Sequence, residues 1–147
     1  MPAPVWYALS VKQPWAALLV AGIKAVEVRT WDTRRRGPVL IHAARNPDPR
    51  PDGWAHVTTP AVRRLAETTG GIIGVAELVD CVTYPTPSAF AAAAPRHLNP
   101  PAWFAPPRLF GFAFAHPRPL PFRPLPGKTF FFPVPGVIIT APETSES

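Results

Sequence analysis

The residue types best suited to chemistry lie in one short segment, G-I-K-A-V-E-V-R, which runs from Gly22 to Arg29. Glu27 and Arg29 are two positions apart, so in a β-strand they share one face, and Lys24 stands where that strand begins. Lysine supplies a mobile point charge, and arginine offers a planar fork that fits a phosphate or the edge of a base. An ionised glutamate only accepts hydrogen bonds, so Glu27 can hold either cation or receive an amino group of a nucleobase. The spacing is equally compatible with an exposed ion pair of little energetic value.

Further cationic and aromatic side chains flank this segment. Trp31 shares the face of Glu27 and Arg29, and its flat ring can either stack on an unpaired base or pack in the core. The candidate nucleic-acid-binding residues are therefore Lys12, Lys24, Glu27, Arg29, Trp31, Arg34, Arg35 and Arg36. If roughly four of the cations contact phosphates, log affinity falls with log salt with a slope of about −3 to −4.

Several nearby residues are better explained by structure than by binding. We expect Trp15 to pack between a helix and the core, and His42 to be a hydrogen-bonded residue within an apolar strand. Arginines 34–36 can also form a solvated loop, although a triple arginine directly after this segment favours phosphate contact. Lys128 follows Gly127 and is expected to be a turn residue.

The elements that position these residues follow from hydrophobic periodicity and from capping signals. Thr59-Pro60 and Thr86-Pro87 are typical of helix starts, since each pairs an N-cap with a proline at the first helical position. Gly22 stands where a left-handed residue ends the first helix. The predicted helices are 14–21, 60–70 and 88–94, and the predicted strands are 5–11, 25–31, 38–43, 71–82, 109–116, 120–122, 130–134 and 137–140. Segments 45–53 and 95–107 are predicted loops.

Many short strands with two or three helices between them predict an α+β fold on a curled or closed sheet. The length of 147 residues suits one domain, over 1–140, followed by a polar tail at 141–147. Proline is abundant, with 23 residues, of which 19 follow position 46. The later strands are therefore expected at sheet edges, where a missing N–H is tolerated.

The charge and the cysteine content of the sequence indicate what kind of partner and which cellular compartment to expect. The formal net charge is +6, and residues 1–50 hold eight basic but only three acidic side chains, so a polyanion is expected to bind this third of the chain. Cys81 is the only cysteine, which excludes an intramolecular disulfide and suits a cytoplasmic protein. The apolar stretch 15–23 is too short to span a bilayer and does not look like an export signal. We therefore expect no membrane association.

The segment from Gly22 to Arg29 resembles, without a gap, the G-x-K-x-x-E-x-R motif of the ASCH domain family. The resemblance extends to Leu9-Ser10 and Gln13-Pro14-Trp15-Ala16 before it, to Arg29-Thr30-Trp31 and Arg36-Gly37 after it, and to the stretch 72–81. It implies a PUA-like mixed β-barrel with two to three peripheral helices. It also implies a basic cleft for RNA or another nucleic acid, with Lys24, Glu27 and Arg29 beside it.

The same resemblance leaves enzymatic alternatives open. Some compact members are amidohydrolases that act on N4-acetylcytidine through a K-x-x-T form of the motif, and ribonuclease activity is attributed to others. Here Glu27 replaces that threonine, although Lys24 and Glu27 would be the catalytic candidates of a hydrolase. No cofactor or metal is expected, since the sequence has no H-E-x-x-H or glycine-rich phosphate loop. A protein-binding role for the proline-rich half is a third alternative.

Overall fold

Six β-strands form one sheet in the computed structural model, which describes residues 5–137. In chain order they are β1 (Trp6–Val11), β2 (Val26–Arg29), β3 (Gly37–Ala43), β4 (Gly71–Tyr84), β5 (Leu109–Pro124) and β6 (Phe131–Val134). Their order across the sheet is β2-β5-β4-β3-β1-β6, with β1 and β3 parallel and the other neighbours antiparallel. The sheet curls into a half-barrel, which confirms the predicted α+β fold.

Short helices lie outside this sheet. They are α1 (Trp15–Val20), α2 (Pro51–Trp54), α3 (Pro60–Ala66), α4 (Pro87–Ala92) and α5 (Ala94–His97), with one 3₁₀ turn at Pro101–Trp103. Helices α1, α3 and α4 correspond to the three predicted ones. The single turns α2 and α5 lie in or at the edge of segments predicted as loops, because one helical turn leaves no periodic pattern to detect.

The predicted helix signals act as expected. The Thr59 and Thr86 side chains accept hydrogen bonds from the backbone N–H groups of Val62 and Ala89, which caps α3 and α4. Gly22 has a φ of +78°, as predicted for the residue that ends the first helical segment. Helix α3 ends at Ala66, four residues before the predicted end.

Helix α1 is the centre of the core. All six of its residues are buried, as suits a helix that is apolar on every side. The Gln13 amide fixes its start, since its oxygen accepts from the Ala17 N–H while its nitrogen donates to the carbonyls of Leu65 and Thr68. The helix therefore holds β1, which precedes it, and β2, which follows it, in a fixed relation.

Strand β5 differs from its prediction as two separate strands. It is continuous over 16 residues despite prolines at 117, 119, 121 and 124. The register with β2 ends at the pair Val26 and Ala113, and the later residues of β5 pair with β4 alone. The prolines therefore lie in an edge half of the strand, where a missing N–H costs little. Apart from Val137, which is not in a strand, the predicted strand 137–140 and the tail 141–147 lie outside the described residues.

Residues 5–137 contain neither a membrane-spanning helix nor a cluster of metal-ligating side chains. No helix there is long and apolar enough to cross a membrane. Within the same range, no group of three or more His, Cys, Asp or Glu side chains converges as a metal site would require.

Candidate nucleic-acid interface

A cleft of about 550 Å³ opens where the end of β1 meets β2. The loop after α5 and the segment before β6 complete its walls. The charged side chains that line it are Lys12, Glu27, Arg29, Asp48, Arg50 and Lys128, and the aromatic ones are Trp15, Trp31, Trp103 and Phe130. Of the eight predicted binding residues, Lys12, Glu27, Arg29 and Trp31 therefore come together here.

Strand β2 supplies an ion pair of the cleft, formed by Glu27 and Arg29. Because side chains alternate along a strand, Val26 is buried in the sheet while Glu27 and Arg29 face the cleft. Arg29 Nη2 lies 2.9 Å from Glu27 Oε2, and Arg29 Nε donates to the same oxygen at 3.1 Å. Arg29 Nη2 also donates to the Ser10 carbonyl at 2.9 Å. These bonds fix the guanidinium plane and leave Nη1 without a partner among residues 5–137.

Lys24 lies beneath the cleft rather than on its surface. Lys24 is 2% exposed, and its Nζ donates hydrogen bonds to the His97 carbonyl and, at 3.1 Å, to Asn99 Oδ1. Nζ also lies 3.8 Å from Glu27 Oε1 and 4.7 Å from the centre of the Trp15 ring. The sequence interpretation of Lys24 as a mobile point charge is therefore wrong for this structure, because α5 and the loop after it cover the side chain.

Burial dominates the protonation of Lys24. Removal from water lowers its pKa from 10.5 to about 8, because a charged ammonium is poorly solvated in the interior. The Glu27 carboxylate raises this pKa in part, and the nearby Arg29 charge lowers it. The side chain thus remains a cation at neutral pH and joins β2 to the loop that carries Asn99.

A second pair of charges, Asp48 and Arg50, also lines the cleft and was not predicted. The buried Asp48 carboxylate accepts from Trp15 Nε1 at 2.9 Å and from Arg50 Nη2 at 2.8 Å. The Arg50 guanidinium hydrogen bond is the main reason that the pKa of Asp48 lies well below its ordinary value. Arg50 also stacks on the Trp103 ring, with 3.6 Å between the guanidinium carbon and the ring centre.

The rim near β6 is aromatic. Trp31 is half-buried and makes edge contacts with Phe112 at 5.0 Å and with Phe130 at 4.8 Å between ring centres. Phe130 is 58% exposed, and its φ is +58°, a left-handed backbone that a bulky side chain rarely adopts. The chain therefore holds an exposed aromatic ring at the mouth of the cleft at a conformational cost.

The three consecutive arginines lie outside the lining of this cleft. Arg35 packs over the Tyr7 ring at 3.9 Å. Arg36 lies 3.8 Å from an Asp80 carboxylate oxygen and donates to nearby backbone carbonyls. Arg34 is exposed and makes no hydrogen bond or ion pair within the described residues. Arg34, Arg35 and Arg36 are therefore not among the residues that line the cleft with Arg29 and Trp31.

The expectations for Trp15 and His42 agree with their packing. Trp15 is 7% exposed, although one edge reaches the cleft. His42 is buried, with Nδ1 at 2.9 Å from Ser10 Oγ and Nε2 at 2.8 Å from the Leu125 carbonyl. Lys128, expected as a turn residue, instead lines the cleft.

Sequence reasoning missed several lining residues, among them Asp48, Arg50, Asn99, Trp103 and Phe130. Asp48 and Arg50 stand in a turn-dense segment and Asn99 and Trp103 in a proline-rich loop, so neither pair has the regular spacing of a strand or helix. Their contacts reach Trp15 and Lys24, across 33 and 75 positions. The available signal was a tryptophan or arginine inside a loop, which is too common to single out.

A curled half-barrel with a G-x-K-x-x-E-x-R segment at its cleft defines a class of domain. The ASCH domain model matches residues 9–109, and the chain belongs to the ASCH domain family. This confirms the resemblance found in the sequence.

Two relatives of known name share part of this sequence. The chain is 38% identical over 84 residues to activating signal cointegrator 1 of Homo sapiens and 36% identical over 84 residues to that of Mus musculus. Each match covers 52% of this chain but only 14% of the relative.

Solved structures share the fold at lower identity. The crystal structure of ASCH from Zymomonas mobilis has a TM-score of 0.61 and 15% identity, covering 87% of this chain and 86% of that one. A mutant of that protein has a TM-score of 0.55 and 17% identity, over 86% of this chain and 77% of that one. At such identity the likeness concerns the fold alone.

Proposed function

We propose that this ASCH domain binds single-stranded nucleic acid, RNA or DNA, in the cleft between β1 and β2. The observation that carries the proposal is the joint presence of aromatic rings and fixed polar groups around one cavity of about 550 Å³. This volume lies within the range of ordinary ligand pockets. An unpaired base needs both a ring to stack on and hydrogen-bonding groups at its edge.

The aromatic residues supply the stacking surface. Phe130 is exposed, Trp31 contacts it with 4.8 Å between ring centres, and Trp103 lies under the Arg50 guanidinium. Stacking of one base on such a ring contributes about 1–3 kcal/mol and tolerates any base. A flat guanidinium on a ring extends the platform, because arginine also stacks.

The polar groups at the floor supply the edge contacts. Arg29 retains Nη1 for an acceptor, and Glu27 Oε1, 3.8 Å from Lys24 Nζ, remains an acceptor for a base amino group. The buried Lys24 orients the Asn99 amide, whose oxygen takes a hydrogen bond from Nζ. The floor therefore offers a donor and an acceptor whose positions are set before a ligand enters.

The placement of Lys24 favours binding over hydrolysis. A nucleophile or base must reach its substrate, and the Lys24 side chain is 1% exposed with donors committed to His97 and Asn99. Glu27 shares its carboxylate with Arg29. An amidohydrolase with these two residues would need the cover formed by α5 and its loop to move.

The test is fluorescence anisotropy with labelled single strands of about eight nucleotides, a length within the range of known single-strand sites. The variant is Phe130→Gly, which removes the ring and keeps a left-handed backbone accessible. We expect binding at low salt to weaken about fivefold or more, the effect of losing about 1 kcal/mol of stacking.

Phe122→Ala is the matched control, since Phe122 is also an exposed aromatic residue but lines a different groove. Equal affinity of the wild type, Phe130→Gly and Phe122→Ala would reject stacking at this cleft. Absence of wild-type binding to both RNA and DNA would reject the function itself. Release of cytidine from N4-acetylcytidine by the wild type, lost in Lys24→Met, would replace it with the hydrolase alternative.

A further inference from the structure

We propose that a basic pocket beside the cleft, formed around Lys12, Arg45 and Lys128, is a phosphate subsite for the nucleotide whose base occupies the cleft. This inference rests on the proposed function and makes the ligand a nucleotide rather than a free nucleoside. The pocket has a volume of about 380 Å³. It is continuous with the cleft, because Ser10, Lys12, Ala44, Lys128 and Thr129 line both.

The distribution of unpaired charge distinguishes the two cavities. In the cleft, Arg29 and Arg50 are paired with Glu27 and Asp48 at 2.9 and 2.8 Å. In the basic pocket no carboxylate is among the lining residues of the described chain. Lys12, Arg45 and Lys128 make no ion pair or side-chain hydrogen bond within residues 5–137, and all three are exposed.

Three uncompensated cations around one cavity repel one another, so their proximity needs a structural cause. Lys12 directly follows β1, and Arg45 lies two residues after β3, which pairs with β1 in parallel. Because parallel neighbours end at the same edge, these two cations emerge side by side. The parallel pairing of β1 and β3 therefore brings Lys12 and the start of the loop that carries Arg45 to the same edge of the sheet.

The third cation is brought to this edge by a close contact. The buried His42 ring bridges Ser10 Oγ and the Leu125 carbonyl, which ties the segment after β5 to β1 and β3. Gly127 lies so close that an added Cβ would be 2.8 Å from both His42 Cε1 and Ser10 Oγ. A residue with a side chain would push the segment outward, so Gly127 allows Lys128 to approach Lys12.

A phosphate is the ligand that fits this arrangement. It carries charge that three cations can neutralise, and its oxygens accept from ammonium and guanidinium groups. Asn46 and Thr129 add neutral donors to the same lining. Around the two cavities, only these cations lack carboxylate partners among the described residues. We therefore expect counterion release from two to three phosphate contacts. For a single strand this corresponds to a slope of log affinity against log salt of about −1.4 to −2.1.

The test compares two double variants with the same loss of charge. Arg45→Gln with Lys128→Gln removes two cations of the basic pocket, and Arg63→Gln with Arg64→Gln removes two exposed arginines of α3 that line no cavity described above. Anisotropy with the labelled oligonucleotide is measured over a salt series. We expect the pocket variant to bind about tenfold or more weakly at low salt and to reduce the slope by about 1.4. The α3 variant is expected to retain the wild-type slope.

Amide NMR shifts at Ala44, Arg45 and Asn46 provide the second measurement, with uridine, uridine monophosphate, the dinucleotide UpU and inorganic phosphate as probes. We expect shifts from all phosphate-bearing probes but not from uridine, and comparison of the monophosphate with UpU separates a terminal from an internal phosphate.

Oligonucleotide binding that is equal in both double variants would overturn the subsite and leave the proposed function standing. Phosphate-dependent shifts in a protein that binds no oligonucleotide would retain the subsite and reject the proposed function. Neither binding nor shifts would reject both.

Discussion

The buried ammonium of Lys24 contributes to the change of the free energy of unfolding with pH. Burial lowers the pKa of Lys24 from 10.5 to about 8 in the folded protein, and the unfolded chain retains the ordinary value. Between these values the unfolded chain binds more protons than the folded one, so the contribution of Lys24 to stability rises with pH. The full effect is about 3 kcal/mol, of which about 2 kcal/mol develops between about pH 7 and about pH 9.5.

The variant Lys24→Met isolates this effect, since it keeps an unbranched side chain and removes the titrating group. Burial raises the pKa of Cys81 and of Tyr84, and both contribute at high pH, but they do so equally in the two proteins. We therefore expect the unfolding free energy of the wild type minus that of the variant to increase by about 2 kcal/mol over this pH range.

Urea denaturation followed by tryptophan fluorescence measures the difference at each pH. Lys128→Met, which removes an exposed lysine, is the matched control for loss of a lysine as such. A difference between the wild type and Lys24→Met that stays constant, or falls as the pH rises, would contradict the placement of Lys24 as a buried cation.

Two further predictions concern Asp48, which lines the cleft, and the buried His97. Asp48→Ala leaves the buried Trp15 Nε1–H without its acceptor and should lower the free energy of unfolding by about 2 kcal/mol. Asp48→Asn keeps an acceptor oxygen and should lower it by less. Equal losses of the two variants in urea denaturation would count against the hydrogen bond. Burial is the main cause of the lowered pKa of His97, whose Nδ1 accepts a hydrogen bond from the Asn99 N–H. The contribution of His97 to the free energy of unfolding is therefore lost as the pH falls below 6.5, the ordinary pKa of histidine. An NMR titration of the His97 ring should give a midpoint below 6.5, and a midpoint at or above that value would contradict the burial of the ring.

Local patterns sufficed for the parts of the site that one element positions. Alternation along β2 placed Glu27 and Arg29 on one face, and the threonine-proline pairs marked two helix starts. The burial of Lys24 could not be inferred in this way, because its partners stand 73 and 75 positions later, in a segment whose single helical turn has no periodicity. The placement of Lys128 beside the cleft could not be inferred either, because it depends on the close approach of Gly127 to His42.

The proline-bearing half of β5 also bears on self-association. Beyond Phe114 this strand has no partner on its outer side among the described strands, and such an unpaired edge is a template on which a strand of another molecule can pair. Pro117, Pro119 and Pro121 lack the amide hydrogens that an incoming strand would need. The domain can therefore expose a long strand without offering it as a template for fibril-like stacking.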